Sequence, residues 1–263
     1  MGQDISISSD INLITSHITH IEKSINDNKL LIKTRDIISP RKHILELVDL
    51  NHQKQPHNKL AIIFCNSYYG TRYDLGDSAI NDGILSYQQF EKYNYETLIY
   101  YDSTCTEFKE TIIKYLSNGY DSLAIYFIGH GVQINDKHND ERDKYDECLF
   151  FKDGKVIDDE ISMIVDKYNN CKNLRLIADC CHSGSIYDIP SREDIITISA
   201  CTDNQTAKQD WINHKGNGVF SYYFWKYIPR CENNGKLLKE KINTKLKKYY
   251  QSCVFNYLTD KVI

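Results

Sequence analysis

Two short motifs in this chain hold residue types suited to nucleophilic chemistry. One is Gly129-His130-Gly131, an imidazole between two glycines, sterically open and with backbone N–H groups beside it. The other is Asp179-Cys180-Cys181-His182-Ser183-Gly184-Ser185. A thiol within hydrogen-bond reach of an imidazole is kept partly ionised, and the imidazole can then protonate a leaving amine. The same residue types have plainer uses. A Gly-His-Gly is commonly only a turn, and a buried cysteine an inert small hydrophobe. Cys180-Cys181-His182 also suits part of a zinc site, but no Cys-x-x-Cys or His-x-x-x-His partner occurs elsewhere in the sequence.

What positions these motifs is a rhythm of short apolar runs and longer amphipathic segments. Leu60–Cys65, Thr97–Tyr101, Ser122–Ile128, Leu174–Ala178 and Ile195–Ser199 read as buried strands. Asp77–Tyr93, Glu107–Leu116 and Asp159–Tyr168 between them read as helices, followed by Val219–Tyr227, Lys236–Tyr250 and a last strand at Val254–Leu258. Strand–helix alternation predicts an α/β fold with a mainly parallel sheet and helices on both faces. Active residues then gather at the carboxyl ends of strands. Ser122–Ile128 runs straight into His130, and Leu174–Ala178 into Cys181, so adjacent strand ends would deliver thiol and imidazole to one edge.

Composition narrows the classes. With 41% hydrophobic residues the 263-residue chain can bury a sizeable core. A net charge of −4 gives no footprint for nucleic acid. No apolar stretch is long enough to span a bilayer, and no basic start leads into an apolar run, so neither a transmembrane segment nor a secretory signal is expected. Nine cysteines without pairing spacing suggest free thiols in the cytoplasm. Residues 1–57 read as an extension ending in a linker, and 58–263 as the working domain, expected to be monomeric. Met1-Gly2-Gln3-Asp4-Ile5-Ser6 fits a myristoylation pattern, and one acyl chain alone would give weak, reversible membrane contact.

Asp179-Cys180-Cys181-His182-Ser183-Gly184 resembles the Asp-x-Cys-His-Ser-Gly signature of metacaspases, and Gly129-His130-Gly131 resembles that family's histidine motif. Asn66–Thr71, Ala79–Asp82, Ser199–Ala207 and Gly218–Tyr222 are similar to further family motifs in the same order, and Cys181 follows His130 by 51 residues, close to the caspase separation. The Gln-Ala-Cys motif of aspartate-specific caspases is absent. The resemblance implies a three-layer caspase-like α/β/α sandwich and a cysteine endopeptidase cutting after Arg or Lys. It makes Cys181 the nucleophile and His130 its partner, with backbone N–H groups of Cys181 and Gly131 holding the oxyanion. No third member of the dyad is expected.

The resemblance also assigns Asp82 and Asp179 to a pocket for a basic side chain, where two carboxylates can face one guanidinium. Two positions depart from the family pattern, Ile128 for Ser and Ala79 for Cys, and both are expected to line or flank that pocket. The resemblance further implies calcium at Asp146, Asp158, Asp159 and Asp188, whose carboxylates would supply hard oxygen ligands. Asp158 also suits a helix N-cap, and the acidic 135–146 run a solvated loop. The connection from Cys181 to Ile195 is short, with Arg192 its one basic residue, so a single-chain enzyme is expected. The alternative is a catalytically silent caspase-fold module that binds partners.

Overall fold

The computed structural model describes residues 58–136, 144–190, 192–256 and 261–263, together with the backbone of 44–45. Gly2 and the rest of the expected extension, apart from the backbone of 44–45, lie outside these residues, as does the middle of the acidic 135–146 run. In chain order the elements are β1 (Ile44–Leu45), β2 (Lys59–Cys65), α1 (Asp77–Lys92), β3 (Glu96–Tyr101), α2 (Cys105–Leu116) and β4 (Ser122–Ile128). There follow β5 (Gly131–Asn135), β6 (Tyr145–Phe151), β7 (Gly154–Ile157), α3 (Asp158–Tyr168), β8 (Leu174–Asp179) and β9 (Ile195–Ser199). The last are β10 (Gln209–Ile212), β11 (Lys215–Gly218), α4 (Val219–Tyr227), α5 (Gly235–Leu246) and β12 (Val254–Phe255).

The unbroken apolar runs become strands buried on both faces. Along β2, Ala61, Ile63 and Cys65 join one core with Ile80 and Phe90 of α1, Phe224 of α4 and Leu238 of α5. Leu60, Ile62 and Phe64 join the other, with Phe108 and Ile112 of α2 and Ile161 and Val165 of α3. Period-two alternation thus feeds two helical layers, which gives the three-layer α/β/α sandwich. The sheet order is β1-β3-β2-β4-β8-β9-β12. Its five inner strands are parallel, and β1 and β12 close the two edges antiparallel.

Several boundaries shift for local reasons. Helix α2 begins at Cys105, before the expected Glu107, because Thr104 and Glu107 form a capping box. Helix α5 stops at Leu246, short of the expected Tyr250; a 3-10 turn follows, and Tyr250 itself adopts a left-handed φ of 56°. Two small sheets, β5-β6-β7 and the β10-β11 hairpin, were not visible in the apolar pattern. Among the described residues no helix is long and apolar enough to cross a membrane, and all nine cysteines are free.

Candidate active site

Strands β4 and β8 run in register, with Ile128 opposite Asp179, so both stop at the same sheet edge. His130 lies just beyond one and Cys181 just beyond the other. The His130 ring is boxed by aromatic side chains, with Tyr68 at 4.9 Å, Tyr73 at 6.2 Å and Phe150 at 6.4 Å between ring centroids. Its Nε2 donates to the Tyr73 carbonyl at 2.7 Å. A carbonyl only accepts, so Nε2 carries a proton and Nδ1 is the nitrogen left to act as a base. This main-chain carbonyl orients the imidazole, a third participant that side-chain motifs cannot reveal.

The two glycines of Gly129-His130-Gly131 have separate causes. A Cβ on Gly131 would lie 1.9 Å from the Cys181 carbonyl oxygen, and a Cβ on Gly129 would lie 2.6 Å from the Tyr68 hydroxyl. The loop carrying Cys181 is tied down in turn. His182 takes a left-handed φ of 51°, its N–H donates to Gln205 O at 3.0 Å, and its Nδ1 donates to Asp203 O at 2.5 Å. Ser185 donates through N and Oγ to Asp203 Oδ1 at 2.7 and 3.0 Å. Gly184 admits that carboxylate, which would stand 2.6 Å from a Cβ.

Adjacent cysteines face opposite ways. Cys180 is buried in the core on the α2–α3 face, where burial pushes its thiol well above the ordinary range. Cys181 lines a cleft of about 270 Å³ with Leu75, Gly129, His130, Asp179 and Gly218. Burial raises its thiol too. Its Sγ rests against the Ala207 carbonyl at 3.9 Å, and among the described residues no hydrogen bond joins it to His130. Such bonds are often loose before substrate binds.

A buried acidic pair meets at Gly218, with Asp179 lining the cleft and Asp82 buried behind it. Asp179 Oδ2 accepts from Ser221 N and Oγ at 3.1 and 2.6 Å. Asp82, carried by α1, accepts from Gly218 N at 2.6 Å through Oδ2, and its buried Oδ1 accepts from nothing. A Cβ on Gly218 would come within 2.5 Å of Asp179 and 2.8 Å of Asp82, so the two carboxylates converge on that glycine. Burial pushes Asp179 up to about 6. Asp82 is raised well above the usual range, by burial first and by the Asp179 charge second.

A sequence profile of the caspase domain matches residues 58–263. The chain belongs to the caspase domain family. Metacaspase-3 of Arabidopsis thaliana is 36% identical over 100 residues, covering 36% of this chain and 25% of that protein. Metacaspase-2 of Trypanosoma brucei brucei is 32% identical over 117 residues, covering 33% of each. The chain thus spans about a quarter to a third of these curated relatives. A solved Geobacter sulfurreducens protein, 19% identical, superposes with a TM-score of 0.58 over 74% of this chain and 92% of its own. That likeness speaks for the fold alone. The chain is therefore a caspase-like protein of a cysteine peptidase family.

Within this caspase domain the structure places the four aspartates expected to bind calcium in different surroundings. Among the described residues no three His, Cys, Asp or Glu side chains stand together to hold a metal. Asp158 is the first residue of α3 and not its N-cap, and its two oxygens accept from Glu147 N at 3.1 Å and Asp159 N at 2.9 Å. Burial, with the Glu147 and Asp146 charges adding, pushes it up to about 7. Asp146 is buried as well, Asp159 is half-buried, and Asp188 is exposed. Ile128 and Ala79 flank the site from within the core on the α1 face, and neither lines the cleft. Arg192 forks onto Asp194 at 3.0 and 2.7 Å.

The Gly131 contact makes a direct prediction. Gly131→Ala forces the strand after His130 away from the Cys181 loop, at about 1–3 kcal/mol or more for overpacking. A lowered melting temperature and a changed rate of Cys181 alkylation by iodoacetamide are expected, read by thermal unfolding and mass spectrometry. Wild-type values for both would show that the two segments are not held together there.

Proposed function

We propose that the chain is a cysteine endopeptidase that hydrolyses peptide bonds after Arg or Lys, with Cys181 as nucleophile and His130 as its acid–base partner. The observation that carries this reading is one cleft lined by Cys181, His130 and Asp179 together. Because burial keeps the thiol protonated, proton transfer to His130 Nδ1 must accompany attack on the scissile carbonyl. The tetrahedral oxyanion is held by the N–H groups of Cys181 and Gly131. His130 then gives its proton to the departing amine, leaving an acyl-thioester that water hydrolyses with the imidazole acting as base. Each step uses only groups of this chain, substrate and water.

A basic substrate side chain suits the floor of this cleft. Asp82 Oδ1 lacks a partner, and ionising both carboxyls at Gly218 is unfavourable, as the raised Asp82 carboxyl reflects, unless a cation lies close to the pair. A guanidinium or ammonium answers both conditions. The silent-module alternative has no comparable support, since it leaves the cleft-facing thiol and the oriented imidazole without use.

Cys181→Ala is expected to abolish hydrolysis of an Arg-containing fluorogenic peptide, whereas Cys180→Ala keeps most of it. His130→Ala should lose on the order of 10²-fold or more. Full activity in folded Cys181→Ala would overturn the mechanism. Asp82→Asn should weaken recognition of basic substrates by roughly 1.5–3 kcal/mol, the range for hydrogen bonds to charged groups; better cleavage of Asp-containing than Arg-containing peptides would overturn the pocket. Cation binding requires Asp179 ionised, and its carboxyl titrates at about 6. Affinity of Cys181→Ala protein for agmatine, measured by calorimetry, should therefore weaken as pH falls through that value, and additional Asp179→Asn should flatten the dependence. A pH-independent affinity before that second substitution would contradict the assignment.

A further inference from the structure

Tyr68 is buried at 1% exposure and holds a left-handed backbone with φ of 56°. That conformation is uncommon for a bulky residue and persists where the surroundings over-determine it. Its hydroxyl accepts the main-chain N–H of His130 at 2.9 Å and donates to the Phe150 carbonyl at 2.6 Å. Its ring lies against the imidazole at 4.9 Å and 35°. Burial raises the phenol well above its ordinary value, so it stays a neutral donor and acceptor.

The residue is itself anchored from behind. Tyr68 N–H donates to Asp102 Oδ1 at 2.8 Å, and Asp102 is paired with Lys152 Nζ at 2.8 Å. Its carbonyl accepts from Thr71 N at 3.1 Å and Thr71 Oγ1 at 2.7 Å, which folds the loop back towards Tyr73. One loop therefore grips His130 twice, at the main chain through the Tyr68 hydroxyl and at Nε2 through the Tyr73 carbonyl. Gly129 has no side chain because this hydroxyl occupies the place of its Cβ.

We propose that Tyr68 is a positioning residue for His130, its hydroxyl fixing the main chain at the imidazole while its ring fixes the tilt. A buried tyrosine serving packing alone has no reason to spend its hydroxyl on the N–H of the general base. The inference rests on the His130–Cys181 reading. It places Tyr68 outside the bond-making steps, since Tyr68 is buried and does not line the cleft.

The test is Tyr68→Phe, which keeps the ring and removes the hydroxyl, with turnover expressed per site titrated by an irreversible Arg-peptide chloromethyl ketone. Turnover per titrated site should fall on the order of 10- to 100-fold, the effect of slight misplacement of a catalytic group, with KM for the Arg peptide unchanged. A purely structural role would lower the number of titratable sites and the melting temperature but leave turnover per site at the wild-type value. That result overturns the proposal. Should Tyr68→Phe fail to fold, Lys152→Met decides, because it loosens the Asp102 anchor at a partly exposed position. A several-fold fall in turnover per site with unchanged KM supports the proposal, and unchanged turnover overturns it. Cys181→Ala and His130→Ala are assayed in parallel: wild-type turnover in either sinks the dyad, whereas loss in both, on the order of 10²-fold or more for His130→Ala, beside a wild-type Tyr68→Phe sinks only the role of Tyr68.

Discussion

The site depends on how closely two chain segments can approach beyond neighbouring parallel strands. Registration of Ile128 with Asp179 brings β4 and β8 to a common end. The Cys181 carbonyl then occupies the space where any side chain at 131 would begin. Everything chemical follows from that contact. It sets His130 and Cys181 on one cleft and turns Cys180 into the core. The surrounding devices, Tyr68 and Tyr73 on one side and Asp203 on the other, hold these segments where the strands deliver them.

The acidic floor works against stability. An unfolded Asp titrates at about 3.9, while Asp179 in the fold titrates at about 6. Between those values the folded state keeps a proton that the unfolded chain has lost. The contribution of Asp179 to stability therefore falls as pH rises through this window, and above it the fold carries the full penalty of a buried carboxylate. Asp82 shifts the same way, with Asp179 among the causes. A pair so placed is costly when both carboxylates are ionised, and a proton on either one relieves it.

Much of the frame was legible because it rests on burial. β2 and β4 are sealed on both faces and so read as nearly continuous apolar runs, β8 likewise apart from Arg175, and the helices between them show one apolar face. His130 and Cys181 were legible because glycine and short polar residues mark the places where the backbone must come close. The β10-β11 hairpin was not, since Gln209, Asp210 and Trp211 are all exposed and give no alternating signal. β5-β6-β7 was hidden because its first strand is mostly half-buried and its centre follows an acidic run that reads as loop. The Tyr73 carbonyl carries no side-chain signature at all. Of the aspartates expected to gather a cation, Asp158 takes part in helix-end hydrogen bonding and Asp188 is exposed, surroundings that spacing alone does not reveal.

The central claim is that one thiol, Cys181, reacts with a substrate held by its basic side chain. Intact-mass and peptide mapping after brief exposure to matched peptidyl chloromethyl ketones, one ending in Arg and one in Asp, tests both halves at once. The account predicts a single adduct from the Arg reagent, located on Cys181 and suppressed by competing agmatine, with the Asp reagent far slower. An adduct on another cysteine, or faster labelling by the Asp reagent, would contradict it.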